Sequence, residues 1–476
     1  MMKKRTTRKW NMVIIVILLL LCLLIFGGYR FLHQSSYNNK SLLQDRASGQ
    51  TTVFRNVNVI PMDQEKVVEK QDVLIQDGKI TRIGNTGEIE IPEQAQIIDG
   101  TGKFLIPGLI DMHTHVSDKD DLLLLTANGV TTIRNVWGYE GLQVALGFPN
   151  HLELKREVEA GLLLGPRIIT SGPILEGEPA NSPMMSVLKG GEQAEAEVRR
   201  QKQLNYDYIK VYDNLDMDTY KAIVQEAGKL DIKVIGHVPY KVGIDAAIEN
   251  KQYSIEHTTG YIDPDMAEFL IPKDRVKEYA NKTKQAGIWN CPTFVVWQHI
   301  VPYKEFDKCK DNNPLMKYIS PKVELYWRMS AKAMNDNIKY QGTDYNGKML
   351  AVQKEMVQAL HEAGAGLVAG TDMGNPFVFA GESLHEELSY FVEAGLSPYE
   401  ALRTATTNAA ECLMLKNEIG IVREGRKADL VLLNKSPLED IRNTKTIEGV
   451  IANGSWLSRE ALDGYLAGIA KQKGNK

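Results

Sequence analysis

From Pro107 and Gly108 onward, eight short apolar runs alternate with stretches of helical pattern, and no other feature of the chain restricts its fold as strongly. The runs are Leu109–His115, Thr131–Val136, Arg167–Ser171, Tyr208–Tyr212, Lys233–Val238, Ser254–His257, Ile288–Thr293 and Gly366–Thr371. Helical stretches at 121–128, 152–164, 193–204, 218–230 and 244–250 lie between them. Strands that alternate with helices pair in parallel through crossover connections. Nearly continuous apolar strands suit a sheet that is covered on both faces. Eight is the number that closes such a sheet on itself. The expected fold is therefore α/β, a (β/α)8 TIM barrel.

The flanks read differently. Segments 53–60, 73–75, 79–83 and 96–98 are β-rich and separated by turn signals such as Asp77-Gly78 and Asp99-Gly100. Segments 419–422, 430–433 and 447–452 are strand-like again. They are expected to return and complete a small β-sandwich built from both chain ends. The resulting division is 1–34, basic N-terminus and membrane anchor; 35–50, polar tether; 51–106, first part of the sandwich; 107–417, barrel; 418–460, second part of the sandwich; 461–476, C-terminal tail. Within the barrel, 295–365 is too long for a simple connection. Two readings stand for it, a lid over the barrel's C-terminal face and a surface excursion.

Charge is uneven along the chain. The whole carries −4, yet residues 1–50 hold eight Lys or Arg against Asp45 alone. Lys3, Lys4, Arg5, Arg8 and Lys9 precede the apolar run 12–26, which Gly27, Gly28 and Tyr29 extend to 18 residues. That is near the lower limit for a membrane span, and the basic end belongs in the cytoplasm. The expectation is an N-terminal transmembrane helix, single-pass in the cell membrane, with the catalytic domain extracytoplasmic. The rival is a cleaved signal peptide, for which Gly-Gly-Tyr-Arg-Phe-Leu is a poor cleavage site. The absence of a basic excess argues against nucleic acid as a partner. Cys22, Cys291, Cys309 and Cys412 show neither CxxC spacing nor a disulfide framework. Oligomeric state stays open.

Active sites of barrels of this kind lie where the strands end. His113 and His115 end the first strand two residues apart, so both point to one face and can chelate one ion. Lys210 lies in the fourth strand, His237 and His257 end the fifth and sixth, and Asp372 follows the eighth. Imidazole and carboxylate suit Zn²⁺ and related divalent ions. A single histidine is more often a satisfied core residue; four at strand ends together with Asp372 form a pattern. His33, His151, His299, His361 and His385 have no such placement and read as structural or surface residues. Alternation in Tyr-Ile-Lys-Val-Tyr turns Ile209 and Val211 toward the helix layer, and Lys210 and Tyr212 toward the barrel. Arg134 and Asn135 read as fixing a loop, and Glu256 as pointing away from the metal toward a supporting partner.

Pro-Gly-Leu-Ile-Asp-Met-His-Thr-His at 107–115, Ser-Ile-Glu-His at 254–257, Ala-Gly-Thr-Asp at 369–372, the run 401–410, Ile419-Gly420 and Gly425–Leu430 together resemble the metal-dependent amidohydrolase superfamily. The nearest branch is the imidazolonepropionase-like and prolidase-like group, and the likeness spans about 51–460. The resemblance implies a barrel with a β-sandwich and hydrolysis of an amide C–N bond in a small molecule by metal-activated water. Lys210 implies the binuclear form. In that form His113, His115 and Asp372 hold one ion, and His237 and His257 the other. CO₂ adds to Lys210 as a bridging carbamate. Two Zn²⁺ are implied, with Mn²⁺, Co²⁺ or Fe²⁺ as alternatives. Asp372 is implied as the proton carrier. Tyr212 reads either as an oxyanion donor or as a packed tyrosine. Two other readings stay open: a mononuclear deaminase or imidazolone-ring hydrolase, and an inactive barrel that serves as a binding scaffold.

Overall fold

The computed structural model describes residues 51–262, 273–300, 303–336 and 345–474. Eight parallel strands form the barrel: Leu109–Thr114, Val130–Asn135, Arg167–Thr170, Tyr208–Val211, Lys233–Gly236, Ser254–Glu256, Trp289–Cys291 and Gly366–Leu367. The first three pair in order, and so do the fourth through eighth. A parallel bridge between Ser171 and Tyr208 joins the third strand to the fourth. The ring closes where Met112 N–H donates to the Ala369 carbonyl at 2.9 Å and Asp372 N–H to that of His113 at 2.7 Å. Closure therefore brings the last strand's carboxylate onto the first strand's histidines.

Helices cover the outside for the reason the pattern gave. Leu122 to Leu125 are buried in the helix Asp121–Ala127, and Ile209 and Val211 pack with Val198 and Ile223 of the neighbouring helices. Lys210, between them, is left to the barrel interior and is 1% exposed. Helix starts are capped where the sequence permits: Asp216 accepts from Thr219 N–H at 2.8 Å ahead of the helix Met217–Lys229.

Strands from both chain ends meet in one eight-stranded ladder rather than in two separately bonded sheets. Phe104–Pro107 is the joint. It runs parallel to Thr52–Val59 and antiparallel to Leu430–Leu433. Segment 419–422, expected as a strand, is irregular; Val422 N–H bonds singly to the Pro61 carbonyl as the chain crosses the sheet domain. Ser455–Ser458 is a strand that the sequence reading did not include.

Two further segments take shape. Most of the expected tail lies in a helix, Arg459–Gly474, that buries Leu462 and Ile469. Its Lys473 ammonium lies 2.9 Å from Asp118 and 2.7 Å from Asp120, on the loop behind His115. The stretch 295–365 is mostly helical where described, including Pro321–Asp336 and Tyr345–Ala363. Trp327 from it donates to the Gly374 carbonyl at 2.8 Å and packs on Phe377 and Phe379.

The membrane expectation is corrected. No helix among the described residues is long and apolar enough to cross a membrane. The run 12–29 that suggested a span lies outside the described residues. The structure thus gives the transmembrane helix, the single-pass location and the extracytoplasmic placement nothing to rest on.

Candidate metal centre

The expected site residues converge at the C-terminal mouth of the barrel. His115 Nε2 lies 2.9 Å and His113 Nε2 3.5 Å from Asp372 Oδ1. One ligand atom from each of the three lies within 4.8 Å of the others, spacing fit for one ion. The His257 ring stands 4.5 Å from that of His113 and 4.8 Å from that of His237. Lys210 and Asp372 are close enough to influence each other electrostatically. Tyr212 lies over His237, with ring centroids 3.9 Å apart. All seven expected site residues thus share one neighbourhood.

Local backbone geometry holds them there. His257 and Asp372 both take left-handed φ values, 61° each, as do Thr258 at 56° and Thr293 at 50°. Non-glycine residues seldom adopt this region, and such conformations gather at functional sites. Gly370 is obligatory for contact: a Cβ there would come within 2.5 Å of Cys291 Sγ and 2.7 Å of His113 N. Any side chain would push the eighth strand, and Asp372 with it, away from the first.

A supporting layer fixes the imidazoles from behind. Glu256 Oε2 pairs with His113 Nδ1 at 2.7 Å, so Glu256 does face a supporting group. Arg134, read from sequence as a loop residue, is instead fully buried and donates to Glu256 Oε1 at 2.8 Å, to the Met112 carbonyl at 2.7 Å and to Ser254 Oγ at 3.0 Å. Asp213 pairs with His237 Nδ1 at 2.7 Å, and Thr293 Oγ1 with His257 Nδ1 at 2.6 Å. Each bond engages the ring's Nδ1 and leaves Nε2 available as a ligand atom, the orienting role that carboxylates and hydroxyls play behind metal-bound histidines. Asp213 and Thr293 escaped the sequence reading; the one available signal was the position of Asp213 directly after Tyr212 at a strand end.

Electrostatics match a cation. Burial, with the Lys210 charge beside it, holds the His113 imidazole well below its usual range. Burial, with His113 and His237 nearby, does the same to His257. Neutral imidazole is the metal-binding form. Burial lowers the Lys210 amine to about 8, against the opposing pull of Glu256 and Asp372. Burial pushes the Asp111 carboxyl up to about 7 while Thr371 and His113 N–H hold it by hydrogen bonds. Glu256 goes the other way: burial would raise it, but Arg134 and Lys210 outweigh that and keep it ionised.

Whether these residues fit a metal can be tested on their unmet valences. His113 Nε2, His115 Nδ1, Lys210 Nζ and Asp372 Oδ1 are all buried without a hydrogen-bond partner. Buried polar atoms are almost always satisfied, and these four belong to residues of the one cluster. The donor set fits one or more divalent cations.

Comparison with known proteins agrees with this geometry. Residues 104–457 match the amidohydrolase family. In sequence the chain is similar to a 5-methylthioadenosine/S-adenosylhomocysteine deaminase of Desulforamulus reducens, 23% identical over 80% of this chain and 84% of that one. It is also similar to the ochratoxinase of Aspergillus niger, 25% identical over 81% of each chain. In structure it resembles a bottromycin amidohydrolase, with TM-score 0.72, 25% identity and coverage of 92% and 93%. A putative prolidase from Bifidobacterium longum shares the fold, with TM-score 0.67, 23% identity and coverage of 89% and 100%. The chain belongs to the amidohydrolase family. It is an enzyme that hydrolyses carbon–nitrogen bonds.

Proposed function

We propose that this enzyme cleaves the amide bond of a small molecule at a two-metal centre held by His113, His115, His237, His257 and Asp372, with Lys210 carrying a bridging carbamate. The observation that carries the reading is that His113 Nε2, Asp372 Oδ1 and Lys210 Nζ are all buried and unpartnered, with His113 Nε2 3.5 Å from Asp372 Oδ1 and Lys210 close enough to feel the Asp372 charge. A plain ammonium beside two cations is repelled, whereas a carbamate is anionic and offers two oxygens. Burial supports that chemistry, because it favours the neutral amine that adds to CO₂. When bound, the divalent ions, Zn²⁺ or alternatively Mn²⁺, Co²⁺ or Fe²⁺, lower the pKa of water and polarise the substrate carbonyl.

The chain's own groups supply the proton traffic. Asp372 takes the proton of the attacking water as its oxygen adds to the carbonyl carbon. It returns that proton to the nitrogen as the C–N bond breaks. Tyr212 is the proposed donor to the developing oxyanion. Burial, with Asp213 and Asp372 close by, holds its phenol well above the usual range and therefore protonated. Glu256, Asp213 and Thr293 keep the three imidazoles in register. As a corollary, the Pro321–Asp336 helix acts as part of a lid, since Trp327 holds the Asp372 loop through Gly374.

A mononuclear deaminase is the second reading, and the likeness to a deaminase over 80% of the chain favours it. Metal content of the protein loaded with Zn²⁺ and bicarbonate separates the two, with Lys210→Ala in parallel. Two ions per chain, falling to one in the variant, support the proposal. One ion in both favours the deaminase. No bound metal overturns both.

A further inference from the structure

Three histidines of the cluster each have an aromatic ring of their own, drawn from three different loops. Trp137, just past the second strand, meets His115 edge-on at 6.0 Å. Tyr212, just past the fourth, lies on His237. Trp297, in the short helix Phe294–Gln298 after the seventh, meets His257 at 6.4 Å. Behind it, Trp137 packs in a small buried cluster with Tyr139 and Ile174, against which the partly buried Met184, Met185 and Tyr212 lie. Aromatic rings thus flank three of the four histidines and form an aromatic wall beside them.

Two features of this wall point to a ligand. First, the indole Nε1 atoms of Trp137 and Trp297 are both buried with no hydrogen-bond partner, and Trp137 is 9% exposed. A buried tryptophan N–H ordinarily finds an acceptor, and leaving it unmet is costly. Second, the cations beside these rings are already committed. Arg134 is bound to Glu256, and Lys322, over the Phe148 ring, donates to the Gly147 carbonyl. On the fourth-strand side the charge is negative, from Asp213 and Glu176, which share Asn181.

We propose that the substrate is an amide bearing a flat aromatic group and no free carboxylate beside the scissile bond. Its ring packs on the aromatic wall, and its hydrogen-bond acceptors take the Trp137 and Trp297 N–H groups. This rests on the amide-hydrolase reading above and narrows its substrate class. Trp137 and Trp297 are then specificity-determining residues: they contact the substrate without joining the chemistry.

The test uses the metal-loaded full chain and three matched probes: phenylacetyl-alaninamide, cyclohexylacetyl-alaninamide and phenylacetyl-alanine. The expected kcat/KM for the phenyl amide exceeds that of each other probe by about tenfold. Trp297→Phe keeps a ring and loses the donor, so KM rises by about tenfold with kcat held within about twofold. Trp297→Leu also erases the preference for phenyl over cyclohexyl. Equal rates for phenyl and cyclohexyl, or a preference for the free acid, overturn the inference and leave the amide-hydrolase reading standing. If no probe is hydrolysed, calorimetric binding of phenylacetamide against cyclohexylacetamide decides. A phenyl preference that Trp297→Leu abolishes upholds the aromatic site while the hydrolase reading of it fails; equal binding overturns the inference as well.

Discussion

His113 belongs to two layers of the barrel that use the same kinds of group and finish them in opposite ways. Below it, every donor of the Arg134–Glu256–Ser254 layer has an acceptor, and Glu256 closes the set through His113 Nδ1. Above it, His113 Nε2, Asp372 Oδ1 and Lys210 Nζ are buried and unmet. Both layers are charged and sealed from solvent, so burial alone does not distinguish structure from site. What distinguishes them is completeness. The lower layer is satisfied within the protein, and the upper one keeps polar atoms that no protein group satisfies.

Substitutions on the two sides of His113 should therefore fail differently. Asp372→Asn is expected to lower kcat by about 10²–10⁴-fold with little change in thermal unfolding, because the amide keeps the carboxylate's shape and one oxygen beside His115. Arg134→Met should do the reverse and destabilise the fold by about 3–5 kcal/mol, since it takes the directly paired guanidinium from the buried Glu256 carboxylate; denaturant titration of the metal-free protein checks this. If Arg134→Met unfolded at the wild-type midpoint, the lower layer would lose its structural meaning.

His151 sharpens the contrast as a histidine finished on both nitrogens, with Tyr139 N–H donating to Nδ1 at 3.1 Å and Nε2 facing the Val116 carbonyl at 2.9 Å. Burial lowers it to about 4. The unfolded chain takes up its proton near pH 6.5 and the folded chain does not, so stability falls as pH drops from about 6.5 toward 4. The loss reaches about 3 kcal/mol at pH 4. Above pH 6.5 this group contributes no pH dependence. His151→Gln should flatten that part of the acid limb in urea titrations run from pH 7 to 4. The smallest effect is expected for Glu256→Gln, which keeps the shape and one acceptor oxygen toward Arg134 and Ser254 but removes the charge and the acceptor facing His113 Nδ1. Zinc affinity should weaken by about 10–100-fold, read by competition with a chromogenic chelator.

The barrel was legible because its strands are apolar on both faces, and the histidines because polar residues at strand ends break that pattern. Arg134 was legible as a residue and not as a role. A cation within a strand says nothing of a carboxylate 122 positions away until the barrel closes. The orienting partners Asp213 and Thr293 share that difficulty, since each meets its histidine only across strands. The helix Arg459–Gly474 was hidden by Gly464 and Gly468, although Leu462, Leu466 and Ile469 carry its apolar stripe. Segment 419–422 had strand composition, but its partner offers one backbone bond and no ladder.

The Lys473 contact with Asp118 and Asp120 has a bearing on biosynthesis. The first ligand-bearing strand emerges from the ribosome early, but its companion carboxylate is made some 260 residues later, at Asp372, and the clasp behind its loop later still, at Lys473. A nascent chain therefore carries His113 and His115 as a pair before their partner Asp372 exists. The cluster and the clasp behind its loop can close only after both of these later segments have been made.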